Sequence, residues 1–350
     1  MPVMALALSA LTATAQNNNA QGNNAQNNQE AMKKLMESPL RKLQIAEFAI
    51  TNLYVDSIDE KKLVEDAIRG MLEKLDPHSA YSTAEQTKRL NEPLQGSFDG
   101  IGVQFNILDD TLMVIQTITG GPSEKAGVMA GDRIISVADT AIAGVKMPQE
   151  EIMKRLRGPR GTTAHLGILR DGIEDTIYID VVRDKIPLNS VDAAFMVTPR
   201  TGLIRFSNFS ITTHKEVTTA IEELKQKGMR NLILDLTQNG GGYLQAAAEL
   251  ASEFLPKGDM VVYTKGRTSY ASQTMRSFGG DAFQEGKVVV LVDEYSASAA
   301  EILAGAIQDQ DRGIVVGRRT FGKGLVQRPV NLPDGSMIRL TISEYYTPSG

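Results

Sequence analysis

A serine and a lysine in the last part of the chain are of types that can carry out nucleophilic catalysis. Ser298 follows an apolar run at 288–292 and precedes a stretch, 299–308, with helical periodicity. Lys323 follows further on, between two glycines. A serine hydroxyl needs a base, and none of the three histidines lies beyond position 214. The lysine amine is therefore the base that the local sequence offers.

Both residues also have a structural interpretation. Ser298 with Glu301 three positions later matches a capping box, and Lys323 matches a solvated lysine in a surface turn. A free lysine has a pKa of about 10.4, so it is a base at neutral pH only where its surroundings lower that pKa by roughly three units. Gln327 would lie on the same face of a strand or helix as Lys323 and could orient its amine. The local sequence leaves the catalytic and structural interpretations open.

Two glycine-rich stretches are candidates for anion binding. The run at 239–242, Asn-Gly-Gly-Gly, separates a predicted strand at 231–236 from a predicted helix at 243–254. Such a junction can donate N–H groups to an oxyanion; a plain tight turn is the alternative. The stretch at 317–323 matches the start of a phosphate-binding P-loop. Gly324 stands where that motif needs Ser or Thr, and 326–329 is not a helix start, so we reject the P-loop.

A pair of glycines, Gly100 and Gly102, precedes a predicted strand edge and could form part of a peptide-binding site. Unobstructed backbone N–H groups there could converge on a carboxylate, and the strand with a predicted helix at 148–156 could flank an extended peptide. An ordinary β-turn is the alternative. Together with 120–127, 131–137 and Leu-Arg-Gly at 156–158, the segment resembles a PDZ domain. The resemblance implies that a free C-terminus is captured by Gly100, Ile101, Gly102 and Val103.

The remaining sequence predicts the elements that position these residues. Residues 3–15 are apolar and end in Ala-Thr-Ala, as in a secretory signal without its basic region, and 16–29 contain only Asn, Gln, Ala and Gly. Helices are predicted at 40–53 and 60–75. Short strands follow between 95 and 183, with a hairpin around Asp171-Gly172. From 201 onward strands and helices alternate, which predicts a mostly parallel α/β core.

Composition excludes several classes of function. The chain has no cysteine, which excludes disulfides, thiol nucleophiles, zinc fingers and cysteine-ligated iron–sulfur clusters. Its net charge of -5 gives no indication of nucleic-acid binding. The histidines are far apart, so a His-rich metal site is not expected and only a carboxylate site stays open. No apolar run approaches the ~20 residues that span a membrane. We expect no metal and no organic cofactor.

The motifs occur in an order that resembles the C-terminal processing peptidases, or tail-specific proteases, from about residue 40 to 350. The resemblance rests on the segments 75–79, 239–242, 296–306, 308–309, 316–317 and 320–327 together with the PDZ-like segment. It implies serine endopeptidase activity in a core similar to the crotonase and ClpP folds. In that family Ser298 falls on the nucleophile, Lys323 on the general base and Gln327 on the residue that orients the lysine. The oxyanion hole falls on the backbone N–H groups of Gly241 and Ala299.

Three departures from the family pattern stand out. Ala300 occupies a place where serine is common, and Thr237 one where the family usually has arginine. The sequence ends at Gly350, where the family normally continues, so we expect the last strands of the core to be missing.

The sequence therefore predicts an α/β multidomain protein: a crotonase/ClpP-like α/β protease core, a PDZ-like β domain and an N-terminal helical segment. The expected division is a signal-peptide remnant at 1–15, a tether at 16–30, a helical region at 31–94, the PDZ-like domain at 95–185 and the protease core at 186–350. We expect an exported, periplasmic or cell-envelope enzyme that cleaves proteins captured by their free C-termini. A homo-oligomer or regulatory partner stays open. A catalytically silent PDZ scaffold is the main alternative, and a crotonase-type acyl-CoA enzyme a weaker one.

Overall fold

The computed structural model describes residues 38–350. The signal segment expected at 1–15 and the tether expected at 16–30 lie outside the described residues. Two compact units divide between Pro77 and His78. In the first, helix α1 spans Pro39–Leu53 and helix α2 spans Glu60–Leu72. Both predicted helices are confirmed, although the second ends earlier than expected.

The second unit begins with a short strand and a helix, neither of which was predicted from the sequence. Strand β1 spans Ala80–Ser82 and helix α3 spans Ala84–Leu94, with Pro93 inside it. Thr83 caps α3 in a capping box, since its hydroxyl accepts from the Gln86 N–H while the Gln86 side chain accepts from the Thr83 N–H. The Thr83 and Gln86 pair was the sequence signal for this helix. The helix was not predicted because its composition is polar and it contains Pro93.

The PDZ-like domain is a small antiparallel sheet closed by two helices. Its elements are β2 Ser97–Gly100, β3 Val103–Leu108, β4 Thr111–Thr117, α4 Pro122–Ala126, β5 Arg133–Val137, β6 Thr140–Ala141, α5 Gln149–Leu156, β7 Thr163–Leu169, β8 Ile177–Val182 and β9 Asp184–Pro187. The main sheet has the order β3-β4-β5-β7-β8, with β6 on β5, and β2 pairs with β9. Leu112, Ile134 and Leu166 are fully buried in its core. Strand β3 lies at the edge of the sheet.

The rest of the second unit contains two further sheets and three long helices. Its elements are β10 Val191–Thr198, β11 Thr201–Phe206, α6 Thr213–Gln226, β12 Asn231–Asp235, α7 Leu244–Ser252, β13 Met260–Gly266, β14 Thr274–Arg276, β15 Lys287–Val292, α8 Ala299–Asp309, β16 Ile314–Gly317, β17 Leu325–Asn331 and β18 Met337–Tyr346. One sheet has the order β10-β11-β12-β15-β16; the other has the order β1-β18-β13-β14, with β17 on β18.

The expected mixed α/β architecture is confirmed, but the core is less parallel than predicted. In the first core sheet only β10 and β11 run antiparallel, whereas every pairing in the second is antiparallel. Strands β10, β13, β14 and β17 were not predicted; β10 pairs with its sequence neighbour β11, β14 with β13, and β17 with β18. No helix within residues 38–350 is long and apolar enough to cross a membrane.

The order of the parallel sheet brings two loops together. Strands β12 and β15 are neighbours in register, with Asp235 opposite Leu291. The loops that follow them, 236–243 and 293–298, therefore leave the same edge of the sheet, where parallel strands commonly build their sites.

Candidate active site

The turn after β15 is held by the carboxylate of Asp293. It accepts the backbone N–H groups of Gln238, Tyr295 and Ser296 at 2.9, 3.0 and 3.0 Å. Burial acts to raise the pKa of Asp293, but these hydrogen bonds outweigh it and hold that pKa below its usual value. The Ser296 hydroxyl also donates to the Leu236 carbonyl at 2.7 Å. The turn is thus tied to the loop after β12.

Ser298 occupies a strained position at the end of this turn. Its φ is 58° and its ψ is -114°, and helix α8 begins at the next residue. A non-glycine residue in such a region costs about 1–3 kcal/mol, and serine nucleophiles are known on sharp strand-to-helix turns of this kind. The Ser298 N–H donates to the Glu301 carboxylate at 2.7 Å. The pairing expected from a capping box is therefore present on a turn whose geometry also suits a nucleophile.

Lys323 lies in the loop between β16 and β17 and is half-buried. Its amine donates to Oε1 of Gln327, on β17, at 2.9 Å. Burial lowers the pKa of Lys323, the nearby Arg339 lowers it further, and Glu301 acts in the opposite direction. A lowered pKa increases the neutral fraction that can act as a base. Within residues 38–350 no hydrogen bond joins the Lys323 amine to the Ser298 hydroxyl.

Glu301 joins the nucleophile turn to the lysine loop. Besides the Ser298 N–H, its carboxylate accepts the backbone N–H groups of Lys323 and Gly322 at 2.9 and 2.7 Å and the Thr320 hydroxyl at 2.8 Å. An acidic residue in the first turn also interacts favourably with the helix dipole. Glu301 was predicted only as a capping residue, because its contacts with the lysine loop carry no local sequence signal.

Gly241 lies directly against the start of α8. A Cβ atom added to it would fall 2.6 Å from the Ala297 carbonyl oxygen and 2.9 Å from the Ala299 nitrogen, and its φ is +92°. The structure thus brings together the two residues predicted to form the oxyanion hole. The Gly241 N–H donates to Oδ1 of Asn239 at 2.9 Å in this conformation. The buried Asn239 also accepts the Ala297 N–H through its backbone carbonyl at 3.0 Å, which links the two loops.

Thr237, which stands where the related family usually has arginine, has a local partner. Its hydroxyl and its backbone N–H both bond to Oδ1 of Asp235, at 2.6 and 2.9 Å. The last carboxylate of β12 is therefore partnered within its own loop.

A groove lies beside the edge strand of the PDZ-like domain. It encloses about 180 Å³ and is lined by Phe98, Ile101, Gly102, Val103, Phe105, Met153, Leu156 and Arg157. Three of the four predicted peptide-binding residues line it, whereas Gly100 lies in β2 and pairs with Asp184. The Arg157 guanidinium stands 4.5 Å from the centre of the Phe98 ring and bonds to Glu92 at 2.5 Å. The groove offers apolar walls, an unpaired strand edge and one cation.

Within residues 38–350 no group of three or more His, Asp or Glu side chains could hold a metal ion.

Comparison with known proteins gives consistent results along the chain. Family models match residues 200–350 as "Peptidase family S41", 100–181 as "PDZ domain" and 3–86 as "Activating protease CtpB N-terminal domain". A carboxy-terminal-processing protease of Bartonella bacilliformis is 37% identical over 301 residues, which is 85% of this chain and 68% of that protein. The carboxy-terminal processing protease CtpA of Bacillus subtilis is 36% identical over 319 residues, 90% of this chain and 66% of that protein. The chain thus spans about two thirds of the length of these relatives.

Among solved structures, the photosystem II D1 C-terminal processing protease is similar with a TM-score of 0.47 and 29% sequence identity. The match covers 91% of this chain and 84% of that one.

Proposed function

This chain belongs to the carboxy-terminal processing proteases of peptidase family S41, and on that premise we propose that it is a serine endopeptidase with Ser298 as nucleophile and Lys323 as general base. The observation that carries the assignment is the pair of contacts made by Lys323. Its amine is held by Gln327, while its backbone is joined through Glu301 to the Ser298 turn. A half-buried lysine with a lowered pKa, whose backbone is joined through Glu301 to a serine on a strained turn, fits a serine–lysine mechanism.

In the proposed reaction the neutral Lys323 amine takes the proton of the Ser298 hydroxyl as its oxygen attacks the scissile carbonyl. Gln327 Oε1 accepts one N–H of the Lys323 amine, so the lone pair of the neutral lysine nitrogen is directed away from Gln327 and can accept a proton. The protonated lysine then gives its proton to the leaving amine as the peptide C–N bond breaks. A water molecule, activated by the same lysine, hydrolyses the acyl-enzyme and restores Ser298.

The oxyanion of each tetrahedral intermediate would receive the backbone N–H groups of Ala299 and Gly241. The Ala299 N–H lies at the N-terminus of α8, where the helix dipole favours negative charge. The Gly241 N–H donates to Asn239 before substrate binds, so this hydrogen bond must be exchanged for one to the oxyanion. Catalytic hydrogen bonds commonly tighten only in the substrate complex.

The proposed substrates are proteins with a free C-terminus, captured by the groove beside β3. An extended peptide would add to the unpaired edge of β3, and its last side chain would occupy the apolar cavity. The apolar segment at 3–15 and the Asn/Gln/Ala/Gly sequence at 16–29 favour export, and hence substrates of the periplasm or cell envelope.

Unfolded casein incubated with the parent chain, Ser298→Ala and Lys323→Ala tests the proposal, with products followed by gel and mass spectrometry. We expect cleavage by the parent and a loss of roughly a thousandfold or more in both variants, because each removes a group that the reaction needs. Lys287→Ala, at an exposed lysine of β15, is the matched control and should cleave like the parent. Cleavage that survives Ser298→Ala would assign the nucleophile elsewhere. A parent that binds peptide but does not cleave would indicate a silent scaffold.

A further inference from the structure

The side chain of Tyr345, near the end of β18, lies between the nucleophile and the base. Its hydroxyl is 3.1 Å from the Ser298 carbonyl oxygen and also contacts the Lys323 carbonyl oxygen. A phenol has a single proton to donate, so the two carbonyls share one donor. Tyr345 therefore connects the same two residues as Glu301, but through their carbonyl groups.

These two side chains act on complementary backbone atoms. Glu301 accepts the N–H groups of Ser298 and Lys323, and Tyr345 donates to their carbonyl groups. The strained φ of Ser298 needs surroundings that hold it, because an unsupported residue would relax toward a commoner conformation. Among residues 38–350, only these two side chains form hydrogen bonds with the backbone of both Ser298 and Lys323.

The position of Tyr345 is itself fixed by the second core sheet. Its N–H donates to the Gly324 carbonyl at 2.9 Å, and it pairs with Thr264 of β13. Its partly buried ring packs against the hydrophobic core that contains α8. Burial raises the pKa of Tyr345, so its hydroxyl stays protonated and remains a donor at every pH at which the enzyme would work.

We propose that Tyr345 is a positioning residue, whose hydroxyl holds the backbone of Ser298 and of Lys323 in the relative geometry that proton transfer requires. The inference rests on the proposed function. It adds a role for β18, a strand that carries none of the residues assigned to the reaction.

The neighbouring Tyr346 provides a matched control. Adjacent residues of a strand point to opposite faces of the sheet, so Tyr346 faces away from the site. Its hydroxyl donates to Glu344 at 2.7 Å, and its ring stacks on Tyr263 with centroids 5.1 Å apart. Tyr345→Phe and Tyr346→Phe each remove one hydroxyl from the same strand, and only the first removes a contact with the site.

The test measures kcat, KM and the pH profile on a fluorogenic peptide for the parent, Tyr345→Phe and Tyr346→Phe. For Tyr345→Phe we expect kcat to fall roughly ten- to a hundredfold with KM within about twofold, since a small misplacement of reacting groups has such an effect. We also expect the rising limb of the profile to move to higher pH, because a looser loop hydrates Lys323 and lets its pKa rise. Tyr346→Phe should match the parent in all three quantities.

Three results would contradict the role of Tyr345, and they show whether the proposed function fails with it. Parental kcat and an unmoved limb in Tyr345→Phe, alongside an active parent and an inactive Ser298→Ala, would overturn this inference alone. An inactive parent, or an active Ser298→Ala, would overturn the proposed function and the inference together. A fall in kcat with an unmoved limb, matched by an equal fall in the folded fraction measured by thermal unfolding, would show a structural role only and would also overturn it.

Discussion

The turn that carries Ser298 and the groove beside β3 are both proposed to bind the substrate backbone, yet they are built in opposite ways. At the turn, positive φ angles occur at Ser298 and Gly241, and side-chain carboxylates accept the surrounding N–H groups. At the groove, a strand edge is unpaired and the walls are mostly apolar. Catalysis at the turn depends on the positions of a few polar atoms, whereas peptide binding at the groove depends on an exposed strand edge and on apolar surface area.

This difference predicts different responses to mutation. An added or removed atom at the turn displaces groups that must lie within hydrogen-bonding distance of a reacting carbonyl. A change in the groove wall alters a contact area, and its cost is spread over several neighbouring side chains. Substitutions at the turn should therefore change kcat strongly, and those at the groove should change affinity moderately.

Among the substitutions that test this difference between the turn and the groove, Gly241→Ala should have the largest effect. The new methyl group would lie 2.6 Å from the Ala297 carbonyl oxygen, and alanine is strained at a φ of +92°. We expect activity on casein to fall at least about a hundredfold and the free energy of unfolding to fall by roughly 1–3 kcal/mol. Steady-state cleavage and urea unfolding would measure the two quantities.

Gly240→Ala is the control for that substitution. A Cβ atom there meets no heavy atom within 4 Å, and Gly240 does not have a positive φ. We expect near-parental activity and stability from it. Equal losses in both variants would mean that the whole glycine run is sensitive and that Gly241 has no special place beside Ala299.

Chemistry explains which parts of the site could be predicted from the sequence. Ser298, Lys323 and Gln327 were candidates because the absence of cysteine and of late histidines left few groups able to do the reaction, and the resemblance to the C-terminal processing peptidases implied their roles. Glu301 was recognised as a cap, since capping is local in sequence, but its contacts with the lysine loop were not. Tyr345 was missed because β17, the strand that places β18 beside Gln327, was not itself predicted.

The fold shows the same limit. The parallel sheet follows from apolar runs that alternate with helices, and those predicted elements are confirmed to within a few residues. Strand β13 pairs with β18 far along the chain, whereas β14 and β17 pair with their sequence neighbours β13 and β18. Strand β14 has only three residues and β17 contains Pro329, so neither carries a clear alternating pattern. Local patterns predicted the elements that carry the nucleophile, and long-range pairing decided what surrounds it.

An intermediate effect is expected for Arg339→Gln. Arg339 lies two residues from Thr341, the register partner of Gln327, and so shares the face of β18 that is turned toward Lys323. Its positive charge lowers the pKa of Lys323. Removing that charge should raise this pKa, so that the lysine becomes neutral at higher pH. We expect the rising limb of kcat/KM to move upward by roughly 0.5–1 pH unit.

Arg328→Gln controls for the change in net charge. Arg328 is exposed on the neighbouring strand β17, and its guanidinium lies 5.7 Å from the centre of the Tyr270 ring. We expect its pH profile to match the parent. A limb that moves equally in both variants would indicate a general effect of protein charge, and a limb that moves down in Arg339→Gln would contradict the assigned direction.

The smallest effect is expected at the groove and is measured as affinity. In the full chain with Ser298→Ala, which should bind without cleaving, a labelled peptide with a free C-terminus is compared by fluorescence anisotropy with its amidated twin. Backbone N–H groups near Ile101 and Gly102 would lose a charged acceptor on amidation, so we expect affinity to fall roughly tenfold. The apolar contacts with Phe105 and Met153 are the same for both peptides. Equal affinities would remove the carboxylate from the recognition model and leave strand addition and apolar contact as its basis.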